Sequence, residues 1–190
     1  MGKEISSTIT HFLDGKHLYL RPLARADLNE TYLSWLSDPE VTRYMLTGTF
    51  PVNMERLGEY YDRMTTSPNH VILAIWDKQP NRHIGNITLN DIDWVSRVAN
   101  LGIMIGEKQF WDKGYGAEAT ELMVRYAFDR LNLHKIWLGV YADHEAAMRL
   151  YTKVGFKVEG RFQNHLYRDG KYFDMVIMGF TRERLLILGQ

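Results

Sequence analysis

Apolar residues along this chain recur with two different periods, and the alternation between them lays out its elements. His17 to Leu23 reads as the first strand. From Arg25 to Ser37, Leu28, Tyr32, Leu33, Trp35 and Leu36 recur at roughly i, i+4 spacing, which predicts an amphipathic helix. Asp38-Pro39 ends it, because proline disfavours helical geometry in the residue before it. A second helix is predicted over Met54 to Met64. Strands follow: VILAIW from Val71 and HIGNITLND from His83, with a polar turn from Asp77 to Arg82 between them. Past a loop holding Asp91, Asp93 and Trp94, Asn100 to Ile105 reads as a strand. A helix from about Gly116 aligns Ala119, Leu122, Met123, Tyr126 and Ala127 on one face.

KIWLGVY from Lys135 reads as a buried strand, and Asp143 or His144 through Val154 as another amphipathic helix. The remainder predicts a hairpin turning at Arg168-Asp169-Gly170-Lys171, since Asp-Gly favours the positive backbone angles of a two-residue type I′ turn. No repeat, low-complexity tract or linker divides the chain. The pattern predicts one domain over residues 17–183, with an extension before it (1–16) and a tail after it (184–190). Its fold class is mixed α/β (α+β), a sheet flanked by helices.

Composition narrows the function classes. The 190 residues are 45% hydrophobic and 24% charged, a globular balance that argues against disorder. Lysine plus arginine equal aspartate plus glutamate, 23 against 23, so no global field draws nucleic acid. With no cysteine, disulfides, zinc–thiolate sites and acyl-cysteine intermediates are excluded. The start, MGKEISSTITHFLDG, lacks the apolar run of a signal peptide, and no stretch approaches the ~20 apolar residues of a membrane span. These features predict a cytoplasmic protein. Met-Gly-Lys-Glu-Ile-Ser matches the spacing of a myristoylation signal, but an ordinary chain start is the expected reading.

The chemistry concentrates in two stretches. In LGIMIGEKQFWDKGYGAEAT, Leu101 to Thr120, a strand runs into a loop with Gly114 and Gly116 that opens a helix. Glycines let backbone amides approach a ligand closely, and a helix N-terminus adds positive partial charge, so the segment is built to cradle an anion such as a diphosphate. A tight strand-to-helix turn would use the same glycines. A Walker loop fails, because Ala117 and Glu118 follow Gly116. Gly114 to Ala119 matches the G-x-G-x-x-G/A dinucleotide fingerprint, yet EKQFWDK separates it from its strand and a hairpin, not further strand–helix units, follows. The second stretch, VYADHEAAMRLYTKVGFKVEG from Val140 to Gly160, reads as strand, helix and strand, with Gly155 suited to end the helix.

Together these stretches resemble the GNAT superfamily of N-acetyltransferases, most strongly from His83 to Phe180. That resemblance implies a mostly antiparallel central sheet with a V-shaped split between strands at the coenzyme site. It implies acetyl-CoA as co-substrate and no metal. The family's R/Q-x-x-G-x-G/A loop maps onto Trp111 through Gly116, with Trp111 replacing the opening basic or amide residue. The resemblance assigns the diphosphate to the backbone of Lys113, Gly114, Tyr115, Gly116 and Ala117, and the pantetheine arm to Ile103, Met104 and Ile105, as an added strand. Of the family's Asn-x-x-Ala/Ser…Leu-Tyr-x-x-x-Gly-Phe pattern this chain has Ala147, Leu150, Tyr151, Gly155 and Phe156, with His144 at the asparagine position. His144, Ala147 and Tyr151 therefore join the coenzyme set. WLSDPEVTRYM and RDGKYFDMVIMGF look like the branch of the ribosomal-protein, polyamine and amino-sugar acetyltransferases.

For the reaction, Tyr151 is the expected general acid, because a phenol of pKa ~10 is protonated at neutral pH. A bulged backbone amide near Ile105 is the oxyanion donor by resemblance. Asp91, Asp93 and Glu107 are the candidate bases; His83, His134 and His165 show no ligand spacing and read as structural or surface residues. The expected acceptor is a small amine, a nucleotide-linked amino sugar or a polyamine, to which the aromatic surplus including Trp35, Tyr44 and Trp94 is suited. A protein N-terminus is the alternative within the enzyme class, and a non-catalytic acyl-CoA sensor the alternative outside it. No nucleic-acid or membrane partner is expected, and a homodimer stays open.

Overall fold

The computed structural model describes residues 11–188; the myristoylation-like start lies outside them. Eight strands form one sheet: β1 (Leu13–Asp14), β2 (Leu18–Pro22), β3 (Val71–Asp77), β4 (Arg82–Asp93), β5 (Val98–Ile105), β6 (Lys135–Tyr141), β7 (Lys157–Arg168) and β8 (Lys171–Thr181). Their order is β1-β2-β3-β4-β5-β6-β8-β7. Every neighbouring pair is antiparallel except β5 and β6, which run parallel. That one parallel pair touches only from Val98–Asn100 to Lys135–Trp137. Beyond it the strands diverge, giving the V-shaped split.

Five helices cover the sheet: α1 (Glu30–Ser37), α2 (Met54–Thr66), α3 (Tyr115–Asp129), α4 (Glu145–Val154) and α5 (Arg182–Leu188). Strand alternation divides the core in two. On β3, Leu73 and Ile75 join the cluster containing Met123, Phe128 and Tyr151 of α3 and α4. Their neighbours Ile72 and Ala74 join Tyr32, Trp35, Leu57 and Met64 of α1 and α2. The α1–α2 pair and the α3–α4 pair thus lie on opposite faces of the sheet.

The structure departs from the periodicity in four places. The helix expected from Arg25 is a short 3₁₀ turn (Arg25–Asp27) followed by α1. Asp27 is buried, accepts the Ala24 amide at 2.7 Å and pairs with Arg21 at 2.5 Å, and the Asn29 side chain then caps α1 by accepting from Tyr32 N. Strand β6 is not buried on both faces: Ile136, Leu138 and Val140 enter the α3–α4 core, while Trp137 and Gly139, on the opposite face, are exposed. Leu13–Asp14, within the expected extension, pairs with β2, and residues expected to form a tail continue as α5. The predicted hairpin turn does form, with Asp169 and Gly170 both at positive φ. No described helix is long and apolar enough to cross a membrane.

Candidate active site

The fork between β5 and β6 opens a cleft of about 1260 Å³ that is lined from both faces of the sheet. Asn100 Nδ2 reaches the Trp137 carbonyl at 3.5 Å at the base of the fork. Above it, Ile103 and Ile105 have no partner strand on one side. The Gly106 amide donates to Ile84 O, on the β4 side, so alternation turns the backbone amides of Ile103 and Ile105 toward the fork. The register between β4 and β5 runs unbroken through Gly85 and Ile105 and shifts only between Asn90 and Asp93. Just past Ile105 the Gly106 and Glu107 amides both donate to Ile84 O, at 2.9 and 3.2 Å, the two-against-one pairing of a bulge. The pleat of β5 aims the Ile105 amide into the cleft.

The glycine loop meets the same cleft. Gly114 occupies the position before α3 with φ +88°, a left-handed angle that a β-carbon resists, and no side chain caps the helix. The first intrahelical bond is Glu118 N to Gly114 O, so the preceding helical amides remain free. Gly116 has a different reason to be glycine. A β-carbon there would sit 2.8 Å from Leu150 Cδ1, so this glycine lets α3 approach α4. Trp111 donates its indole N–H to the Ile105 carbonyl at 2.7 Å, clipping the loop onto β5.

Most of the expected coenzyme residues come together. Ile103, Met104, Ile105, Trp111, Gly114, Gly116, Ala117, His144, Ala147 and Tyr151 all line the cleft. Two do not. Lys113 is exposed beside the cleft, and Tyr115 points away, donating to Asp77 at 2.8 Å. Met104 lines it from the α1–α2 side, where its side chain packs. Tyr151 is 9% exposed, packs edge-on against Phe156, and makes no side-chain hydrogen bond to the described residues. Burial pushes its phenol up to about 12, so the group is a donor throughout the neutral range. His144 stacks on Tyr44, and burial holds its imidazole below the ordinary value, hence neutral.

The candidate bases separate by geometry. Asp93 is consumed in its own turn, accepting from Val95 N, Ser96 N and Ser96 Oγ. Glu107 accepts from Trp35 Nε1 and pairs with Arg82, away from the cleft. Asp91 lines the cleft. His83 is half-buried among Tyr32, Trp35 and Trp76, its Nε2 donating to Gly85 O at 2.9 Å and Asn86 Oδ1 at 3.1 Å. That bond orients the Asn86 amide, whose nitrogen has no partner among the described residues although the residue is 5% exposed and lines the cleft. His134 and His165 lie outside it, as do Trp35 and Trp94; Tyr44 lines it.

Sequence reasoning missed Asn86, Thr88, Trp137 and the arginines Arg43, Arg56 and Arg63, all cleft residues. A signal for two of them existed, since Arg56, Tyr60 and Arg63 share one face of the helix predicted from Met54.

A family model described as an acetyltransferase (GNAT) domain matches residues 17–157. The chain is 30% identical over 168 residues to the spermidine N(1)-acetyltransferase of Escherichia coli (strain K12), covering 88% of this chain and 87% of that protein. It is 32% identical over 92 residues to a putative ribosomal N-acetyltransferase of Bacillus subtilis (strain 168), covering 48% of this chain and 50% of that one. The crystal structure of spermidine N-acetyltransferase from Vibrio cholerae in complex with CoA and spermine superposes with a TM-score of 0.82 at 26% identity. It spans 90% of this chain and 98% of that one.

Proposed function

This chain belongs to the GNAT acetyltransferase family and takes its acyl group from acetyl-CoA, and on that premise we propose that it acetylates a primary amine of a small molecule by direct transfer. The observation that carries the reading is the fork. One cleft receives an unpaired strand edge, an uncapped helix N-terminus and an unpartnered phenol, and it opens on both faces of the sheet.

We assign the coenzyme to the α3–α4 face. The free amides of the α3 N-terminus, from Lys113 to Ala117, would hold its diphosphate, and the Ile103–Ile105 edge would pair with the pantetheine arm. Ala147 and His144, on and before α4, would flank it. Bound there, acetyl-CoA supplies a thioester that must be polarised and a thiolate that must be protonated. The Ile105 amide, turned toward the fork, would donate to the carbonyl oxygen. Tyr151 holds a proton at Oη for the departing sulfur, and a phenol raised to about 12 does not lose it at neutral pH. With no cysteine to carry the acetyl group, direct attack by the amine is the simplest route.

The acceptor then enters from the α1–α2 face, where Asn86 offers an amide donor. A polyamine is the acceptor that the names of the full-length relatives support, and a nucleotide-linked amino sugar is the second small amine. A protein N-terminus has support from a relative matched over half the chain. Free-thiol release from acetyl-CoA, followed with a panel of these amines, tests the proposal. Amine-dependent turnover is expected. Acetyl-CoA binding without turnover on any amine would instead mark a sensor.

A further inference from the structure

We propose that the acceptor carries a phosphate group and that Arg43, Arg56 and Arg63 hold it. This rests on the reading above, in which the α1–α2 face receives the acceptor. All three arginines line the cleft. Arg56 and Arg63 lie two helical turns apart on α2, about 10 Å along its axis, with Tyr60 between them. Each is anchored without being neutralised. Arg56 donates to the Pro51 carbonyl at 3.1 Å, Arg63 lies over the Tyr60 ring at 5.5 Å, and Arg43 lies over Tyr44 at 5.3 Å. Among the described residues none of them pairs with a carboxylate, whereas Arg21, Arg25, Arg82, Arg149, Arg161 and Arg168 all do.

The acids near them do not change the balance. On α2, Asp62 is taken by Arg25, and Glu55 and Glu59 do not line the cleft. Of the lining carboxylates, Glu40 is held by Lys108, Asp112 belongs to the loop before α3, and Asp91 alone faces the acceptor side unpaired. A polyamine would therefore bring several positive charges against three arginines and one free carboxylate. A phosphate meets planar guanidinium forks that match its oxygens. Arg56 and Arg63 do not serve the coenzyme's own diphosphate, because the α3 N-terminus lies across the sheet from α2. A nucleotide-linked amino sugar satisfies both requirements, a primary amine and phosphates, and a sugar monophosphate amine satisfies the same chemistry.

The experiment measures acetyl-CoA turnover with glucosamine, glucosamine 6-phosphate, a nucleoside-diphosphate-linked amino sugar and spermidine. The phosphate-bearing amines should exceed glucosamine and spermidine in kcat/KM, and the two phosphate sources are told apart by which is faster. The Arg56→Ala, Arg63→Ala double variant should lose roughly ten- to a hundredfold in kcat/KM on the phosphate-bearing amine, through KM, with acetyl-CoA affinity unchanged. In parallel, calorimetry with uridine diphosphate at saturating CoA, which fills the coenzyme's own site, should detect binding to the parent protein and not to the double variant. Preference for spermidine, indifference to the phosphate, or an equal uridine diphosphate affinity in both proteins overturns the proposal. Failure of acetyl-CoA to bind at all would overturn the acetyltransferase reading instead.

Discussion

The imidazole of His144 lies flat on the ring of Tyr44, centroids 3.9 Å apart and planes 12° apart. His144 sits at the N-cap of α4 yet makes no side-chain capping bond there. Its ring instead ties α4 to the loop between α1 and α2, closing one end of the cleft. Arg168 extends the tie, stacking over Tyr44 from the tip of the β7–β8 hairpin.

Burial holds both His144 and His83 below the ordinary histidine value, and the sign of the consequence is fixed. Below about pH 6.5 the unfolded chain binds protons that the folded chain refuses, so stability is full above that pH and declines as pH falls through it. Melting temperature should drop between pH 7.5 and 5.5. The slope is at most about 1.4 kcal/mol per pH unit for each histidine, and less for half-buried His144. His144→Phe keeps a stacking ring without a titrating group and should flatten part of the decline. An unchanged slope in that variant would remove His144 as a contributor.

Tyr151→Phe separates chemistry from packing. The hydroxyl has no hydrogen-bond partner among the described residues, so its removal should leave the melting temperature within a degree or two while kcat falls about 10²–10⁴-fold. With the phenol raised to about 12, kcat of the parent enzyme should show no loss from Tyr151 ionisation up to about pH 10. Near-normal kcat in the variant would mean that another donor protonates the thiolate.

The sequence shows the element order because strand and helix periods differ sharply in this chain, and it shows the loop because Gly114 and Gly116 follow a strand. It does not separate the jobs of those glycines. One takes a left-handed angle and the other makes room for Leu150, a contact set by tertiary packing. Asp93 and Glu107 read as free acids because their partners, a turn of their own and Arg82 with Trp35, appear only in the fold. Arg56 and Arg63 escaped notice because the apolar side of α2 marks the core while its polar side says nothing until the fork places it.

The two glycines should respond differently to substitution. Gly114→Ala meets no neighbour within 4 Å but must adopt φ +88°, costing about 1–2 kcal/mol of stability and shifting the free amides. It should reduce the stabilisation that acetyl-CoA confers against heat. Gly116→Ala presses on Leu150, and shortening that side chain in a Gly116→Ala, Leu150→Ala double variant should recover part of the lost stability. Additive effects in the double variant would show that the 2.8 Å approach does not matter.

Arg168 is where the hairpin is held to the rest of the cleft. Its side chain is 13% exposed, with the guanidinium 4.3–4.9 Å from the rings of Tyr44, Tyr141 and Phe173. It donates to Asp143 at 2.8 Å and to the Arg43 carbonyl at 3.3 Å. A lysine keeps the charge but has neither the flat guanidinium that packs among the three rings nor the fork that reaches two acceptors. Arg168→Lys should therefore cost about 1–3 kcal/mol in urea unfolding, nearly as much as Arg168→Ala. Because the Arg43 carbonyl belongs to the loop that Tyr44 and His144 close, both variants should also speed proteolysis between Val41 and Phe50. If lysine restores full stability, charge pairing with Asp143 is the whole contribution, and the stack over Tyr44 adds nothing.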